Sequence, residues 1–191
     1  MNFCERQNTA LLDRGLSCDD ISDFWRYWRQ AGGQITADIQ PIISKLTFCA
    51  ADLDGGASPP FVFIGDNAYV TRCYGAAWSR DALAKRRATP DDNLERLAAE
   101  GYAEAIAGEA RYDVVSARTI SDMFGEIDIA YERLILPLTT ATGHRLLGCM
   151  TAPIRPIRQL SVPDSADPRT YSKAASHHGG YAWAAFATKC Q

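Results

Sequence analysis

Two apolar runs dominate the second half of the chain. Leu134, Ile135, Leu136 and Leu138 form one, and Leu146, Leu147, Cys149 and Met150 the other, with Thr139 to Gly143 between them. Strand-like runs joined by a short Gly-containing link predict a β-hairpin. The first run is almost unbroken, which predicts burial on both faces of a sheet. Pro137 has no N–H to donate, so it belongs at a sheet edge or a bulge.

The rest of the pattern is organised around this hairpin. Residues 1–19 are polar and mixed, with a short apolar patch at Leu11 and Leu12, and read as a loosely ordered arm. Ile21, Phe24, Trp25 and Trp28 follow helical spacing, with Asp19 or Asp20 as the cap and Gly32-Gly33 as the stop. A short helix is expected around Pro41–Ser44. Leu46–Leu53 and Phe61–Ile64 predict an antiparallel strand pair across a Gly/Pro turn cluster. Tyr69 to Trp78 suits short helices interrupted by Gly75. Pro90 to Gly108 predicts one helix, with Asp91 and Asp92 at its positive end. Tyr112–Ile120 supplies a third strand. Prolines at 156, 163 and 168 mark a linker or wrapped tail, and Ala174–Ala187 is expected to dock as a short terminal helix or to pair with another chain. The expected architecture is α+β: a five-stranded antiparallel sheet with helices packed on one face, an N-terminal helix and a C-terminal tail. The expected units are an arm (1–19), a domain (20–155) and a tail (156–191).

Composition narrows the function classes. The 191 residues suit one domain with appendages, and the core they allow needs no disulfide or metal. Twenty basic against twenty-three acidic residues give a net charge of −3, which argues against nucleic acid as the main partner. The Lys85-Arg86-Arg87 cluster is short and reads as a solvated helix end. The six cysteines include no C-x-x-C pair, and Cys49, Cys73 and Cys149 sit among apolar neighbours as small buried hydrophobes. The first residues are charged where a secretory leader needs an apolar core. No stretch approaches the ~18 apolar residues of a membrane span. A cytoplasmic protein is expected.

Three segments, in order, carry a resemblance. DFWRYWRQAGGQITADIQPIISKL, PFVFIGDNAYVTRCYGAAW and YERLILPLTTATGHRLLG together resemble a bacterial subfamily of PAS sensor domains over about residues 22–155. The third is the nearest to the family pattern; its final turn has Thr142-Gly143 where Asp-Gly is usual. The resemblance implies a sheet curled around a small cavity, roofed by the helical insert between Gly65 and Gly108. It also implies signalling through ligand binding or through contact with a regulatory protein, as a homodimer.

A haem needs an axial ligand, usually His. His144 falls at a turn, and His177-His178 lie in the tail without a third ligand, so haem is disfavoured. Cys73 lies in the region of a photoactive flavin cysteine, but VTRCYGAAW lacks that motif, so flavin is disfavoured too; the cofactor stays unknown. Glu132-Arg133 is a candidate acid/base pair or a structural salt bridge. The candidate ligand lining is Tyr74, Trp78, Tyr102, Ile106, Arg118, Tyr131, Arg133, Leu147 and Cys149, with Arg118 and Arg133 suited to holding a carboxylate bidentately. Phe24, Trp25 and Trp28 are the candidate partner or dimer contact. The leading expectation is a non-catalytic sensory module. A purely structural interaction module and a small α+β enzyme using the same pocket stay open beside it.

Overall fold

A computed structural model describes residues 2–53, 58–85 and 92–160. The expected terminal helix, His177-His178, Arg86-Arg87 and the turn residues 54–57 lie outside the described residues. The architecture is α+β, built on one antiparallel sheet. Its strands are β1 (Phe3–Arg6), β2 (Leu46–Ala50), β3 (Phe61–Ile64), β4 (Arg111–Ser121), β5 (Gly125–Thr139), β6 (Arg145–Pro153) and the two-residue β7 (Arg158–Gln159). They run in the order β1-β4-β5-β6-β2-β3, with β7 also paired to β5.

The sheet is larger than the expected five strands because residues 3–6 and 158–159 add to it. FCER is too short and too polar to announce a strand. It becomes one by pairing with the free edge of β4, from Phe3 opposite Ser116 to Arg6 opposite Asp113. Its N-terminal arm is thus part of the sheet. β7 arises because β5 is longer than its partner. β6 pairs with Tyr131 to Thr139, and β7 takes up Ile127 and Asp128 farther along the same side.

The helices lie on both faces, not on one. After the single-turn α1 (Ala10–Asp13), α2 (Asp19–Ala31) covers the face that carries Phe48, Leu134, Leu136, Leu138 and Met150, and the core there includes its own Ile21 and Phe24. Asp19 and Asp20 occupy its first turn rather than the cap, and Gly32 closes it in the left-handed region at φ 58°. The opposite face is roofed by α3 (Tyr69–Tyr74), α4 (Ala76–Lys85), α5 (Asp92–Ala99) and α6 (Tyr102–Ala107). Two short 3₁₀ turns, Ala37–Ile39 and Ile43–Lys45, replace the helix expected at 41–44. The single helix expected over 90–108 is split. Gly101 adopts φ 87°, which a helix cannot hold, and a Cβ there would meet Arg111 Cγ at 2.6 Å.

This layering explains the hairpin pattern. The first half of β5 alternates: Ile127, Ile129 and Tyr131 face the roof, while Glu126, Asp128 and Glu132 alternate with them. From Leu134 onward the alternation ends, because α2 begins to cover the other face. Pro137 lies beyond Ile135, the last β5 residue with a β4 partner, so its missing N–H interrupts no ladder. Its carbonyl accepts the Trp28 indole N–H at 2.8 Å. Among the described residues no helix is long and apolar enough to cross a membrane.

Candidate functional site

Between roof and sheet lies a cavity of about 80 Å³. Its walls come from α3 (Tyr69, Cys73, Tyr74), the α5–α6 corner (Ala98, Tyr102), the sheet (Thr47, Tyr131, Arg133, Cys149, Thr151) and the segment Ser58–Phe61. Most of this surface is ring and thiol, with a few hydroxyls set into it. Tyr69 and Tyr131 pack with ring centroids 5.5 Å apart. The Tyr74 hydroxyl is satisfied by the Thr119 hydroxyl at 3.1 Å. Two other hydroxyls are not satisfied: Tyr69 Oη and Ser58 Oγ are both buried without a hydrogen-bond partner. The Cys73 thiol is the polar neighbour of Tyr69, one turn away on α3, and thiols are weak partners. Leaving a buried hydroxyl unpaired costs about 1–3 kcal/mol, so two at one cavity need a reason.

One wall carries a buried charge. The Arg133 side chain is 2 % exposed and Asp113 is fully enclosed. Arg133 donates to Asp113 Oδ2 through Nη2 at 2.6 Å and Nε at 3.2 Å. Arg111 Nε takes Asp113 Oδ1 at 2.6 Å, and its Nη1 reaches Glu104 at 2.9 Å. Arg133 also donates to the Ala98 carbonyl at 2.5 Å and the Glu100 carbonyl at 2.7 Å. These are carbonyls at the C-terminal end of α5, where free acceptors and the negative end of the helix dipole coincide. The guanidinium sits 5.7 Å from the Tyr102 ring centroid, and Nη2 is 3.5 Å from Cys4 Sγ on β1. One side chain thereby joins β5, β4, β1, α5 and α6.

The protonation states follow from this enclosure. Burial pushes the Cys149 thiol up to about 11 against the pull of Arg133, and the Cys73 thiol up to about 12. Burial also raises Cys49, Tyr69, Tyr102 and Tyr131. Burial works against the Arg133 charge too, but Tyr131, Tyr102 and Asp113 outweigh it and hold its pKa above the usual value. At neutral pH the cavity therefore presents thiols, phenols and one cation, and no thiolate nucleophile.

Of the ligand residues expected from sequence, Tyr74, Tyr102, Tyr131, Arg133 and Cys149 line the cavity. Trp78, Ile106 and Leu147 do not. Trp78 packs on Phe61 and Tyr74, and Ile106 and Leu147 belong to a neighbouring cluster around Cys49. Arg118 is on the outside of the sheet, 63 % exposed, facing Glu126 at 3.6 Å. It alternates with Ala117 and Thr119, which are buried, so it points away from the roof. Arg133 does hold a carboxylate, but the carboxylate is the chain's own Asp113. Glu132 and Arg133 are adjacent in a strand and so face opposite ways: Glu132 accepts the Cys18 N–H at 3.1 Å and makes no pair with Arg133. Of the three residues expected at a partner contact, Phe24 is fully buried and Trp25 nearly so, with its indole N–H on Asp13 at 2.9 Å. Trp28 is half-buried and stacks on Trp25 at 5.2 Å. His144 is exposed in the β5–β6 turn.

Sequence reasoning missed Asp113, Tyr69 and Ser58. Asp113 had a signal: it shares the register of Val115 and Ala117, so a carboxylate was being carried on the inner face. The unsatisfied hydroxyls had none, because satisfaction depends on neighbours far apart in the chain. No protein-family model, curated protein or solved structure matches the chain.

Proposed function

We propose that this chain is a PAS-like sensory module. It binds a small molecule in the cavity beneath α3 and the α5–α6 corner, and it signals by contact with a regulatory protein or a second copy, with no catalytic step. Three things support the reading. The strand pair 46–64 and the meander 111–153 share one sheet. The segment between them roofs that sheet. The cavity walls hold neutral donors and acceptors rather than an activated nucleophile.

The observation that carries the proposal is the pair of unsatisfied hydroxyls at one cavity, Tyr69 and Ser58. A filled structural core would leave neither. The test is mass spectrometry of small molecules released by denaturing freshly purified protein, followed by thermal melts with and without each compound found. A retained compound that raises Tm, and no longer does so when the cavity is filled by Ala98→Leu, is the expected result. An empty release and no stabilising compound in a broad metabolite screen would leave an interaction module as the better description.

A further inference from the structure

We infer that the cavity takes an uncharged, compact ligand carrying both a hydrogen-bond acceptor and a donor, of the size and chemistry of a small primary amide. This rests on the sensory reading above and adds the ligand's class to it.

Size comes first. The cavity volume is about 80 Å³. It is about half of an engineered ~150 Å³ cavity that accepts benzene. A molecule of about three to five non-hydrogen atoms fits.

Charge is decided by Arg133. An anion would seek that guanidinium, but Nε and Nη2 already serve Asp113 and the Glu100 carbonyl, and Nη1 donates to the Ala98 carbonyl, so most of its donors are engaged. Asp113, fully enclosed just behind it, would repel a second carboxylate, and Arg111 is likewise engaged by Asp113 and Glu104. A cation would meet Arg133 itself. The two arginines and two carboxylates balance one another, so the wall offers no net charge to compensate a ligand ion, and burying an uncompensated ion is costly.

Polarity is decided by the free groups. Tyr69 Oη and Ser58 Oγ each can donate or accept, and each is buried without a partner. Tyr69 is 4 % exposed. A neutral amide carries what both hydroxyls lack: a carbonyl that accepts from a hydroxyl and an N–H that donates to one.

The probes that separate these terms are acetamide and acetate, nearly identical in shape and different in charge. Titrating each into the ¹⁵N-labelled full chain and following amide shifts gives the affinities. Acetamide is expected to bind at least about tenfold more tightly than acetate. Tyr69→Phe should weaken acetamide about fivefold, the equivalent of one hydrogen bond. Ala98→Leu, which fills the cavity from a helix that tolerates Leu, should abolish the shifts while the fold's spectrum is kept. Acetate binding as well as acetamide overturns the uncharged class and leaves the sensory reading standing. So does release of a much larger molecule from the purified protein. No shift with either probe, together with no retained compound of any kind, overturns both: the space then holds water only.

Discussion

The two faces of the sheet are packed to different standards. Beneath α2 the core is aliphatic and aromatic, and it is tight enough that a Cβ on Gly148 would lie 2.5 Å from Leu138 Cδ1 and 2.8 Å from Phe24 Cζ. The polar atoms brought to that face are used: Tyr27 Oη both donates to the Gln34 carbonyl and accepts the Thr36 N–H, each at 2.8 Å. Beneath the roof the same sheet carries tyrosines, thiols and an enclosed Arg–Asp–Arg array, and it leaves a cavity with two idle hydroxyls. A chain able to close one face completely has left the other open, at a cost in lost dispersion contacts and unpaired groups. One face holds the fold; the other is arranged around something.

The widest separation between the faces is electrostatic. Arg133–Asp113 beneath the roof and Lys45–Asp20 beside α2 have the same N–O distance, 2.6 Å. Asp113→Asn would leave the enclosed Arg133 without a carboxylate and Arg111 with Glu104 alone, at a cost of about 3–5 kcal/mol. Asp20→Asn removes a water-exposed partner, for which less than about 1 kcal/mol is expected. Urea unfolding of both variants measures the difference. Near-equal losses would mean that the Arg133 wall is wet, and the charge argument for the ligand would lose its basis.

How much of this was legible depended on whether a signal was local. The run Leu134–Leu138 announced burial on both sides because an unbroken apolar stretch has no other soluble home. Pro137 announced the end of a ladder for an equally local reason. Arg118 lies outside the cavity because strand alternation puts it on the face opposite the buried Ala117 and Thr119. β1 could not be seen at all, since FCER gains strand geometry only from the edge of β4. The cavity was partly legible through Tyr74, Tyr102, Tyr131 and Cys149. Its unsatisfied hydroxyls and the use of Asp113 by two arginines depend on contacts between residues distant in sequence, which no periodicity encodes.

Packing gives the second contrast. Gly148→Ala adds one methyl between Leu138 and Phe24, which are 1 % and 0 % exposed and have nowhere to retreat. About 1–3 kcal/mol of destabilisation is expected. Ala98→Leu adds three carbons beneath the roof, into existing space, and should leave stability unchanged or raise it by up to about 1 kcal/mol. Denaturant midpoints at unchanged m-values report both. If Ala98→Leu cost as much as Gly148→Ala, the roof would be as closely packed as the α2 face and the cavity would have no capacity.

The finest contrast uses one change on each face: the removal of a tyrosine oxygen. Tyr27→Phe deletes a donor to the Gln34 carbonyl and leaves the Thr36 N–H without its acceptor. A buried group stranded this way should cost about 1–2 kcal/mol. Tyr69→Phe deletes an oxygen whose one polar neighbour is the weakly bonding Cys73 thiol, so in the ligand-free protein the loss should be small or nil, or a slight gain of about 0.5 kcal/mol from relieving an unmet polar group. The sign then depends on occupancy. With ligand bound, wild-type stability rises by mass action, and Tyr69→Phe becomes the less stable protein by the share of binding it has given up. A crossover in Tm between wild type and Tyr69→Phe as ligand is added assigns the oxygen to the ligand, because a purely structural hydroxyl would rank the two proteins the same way at every concentration.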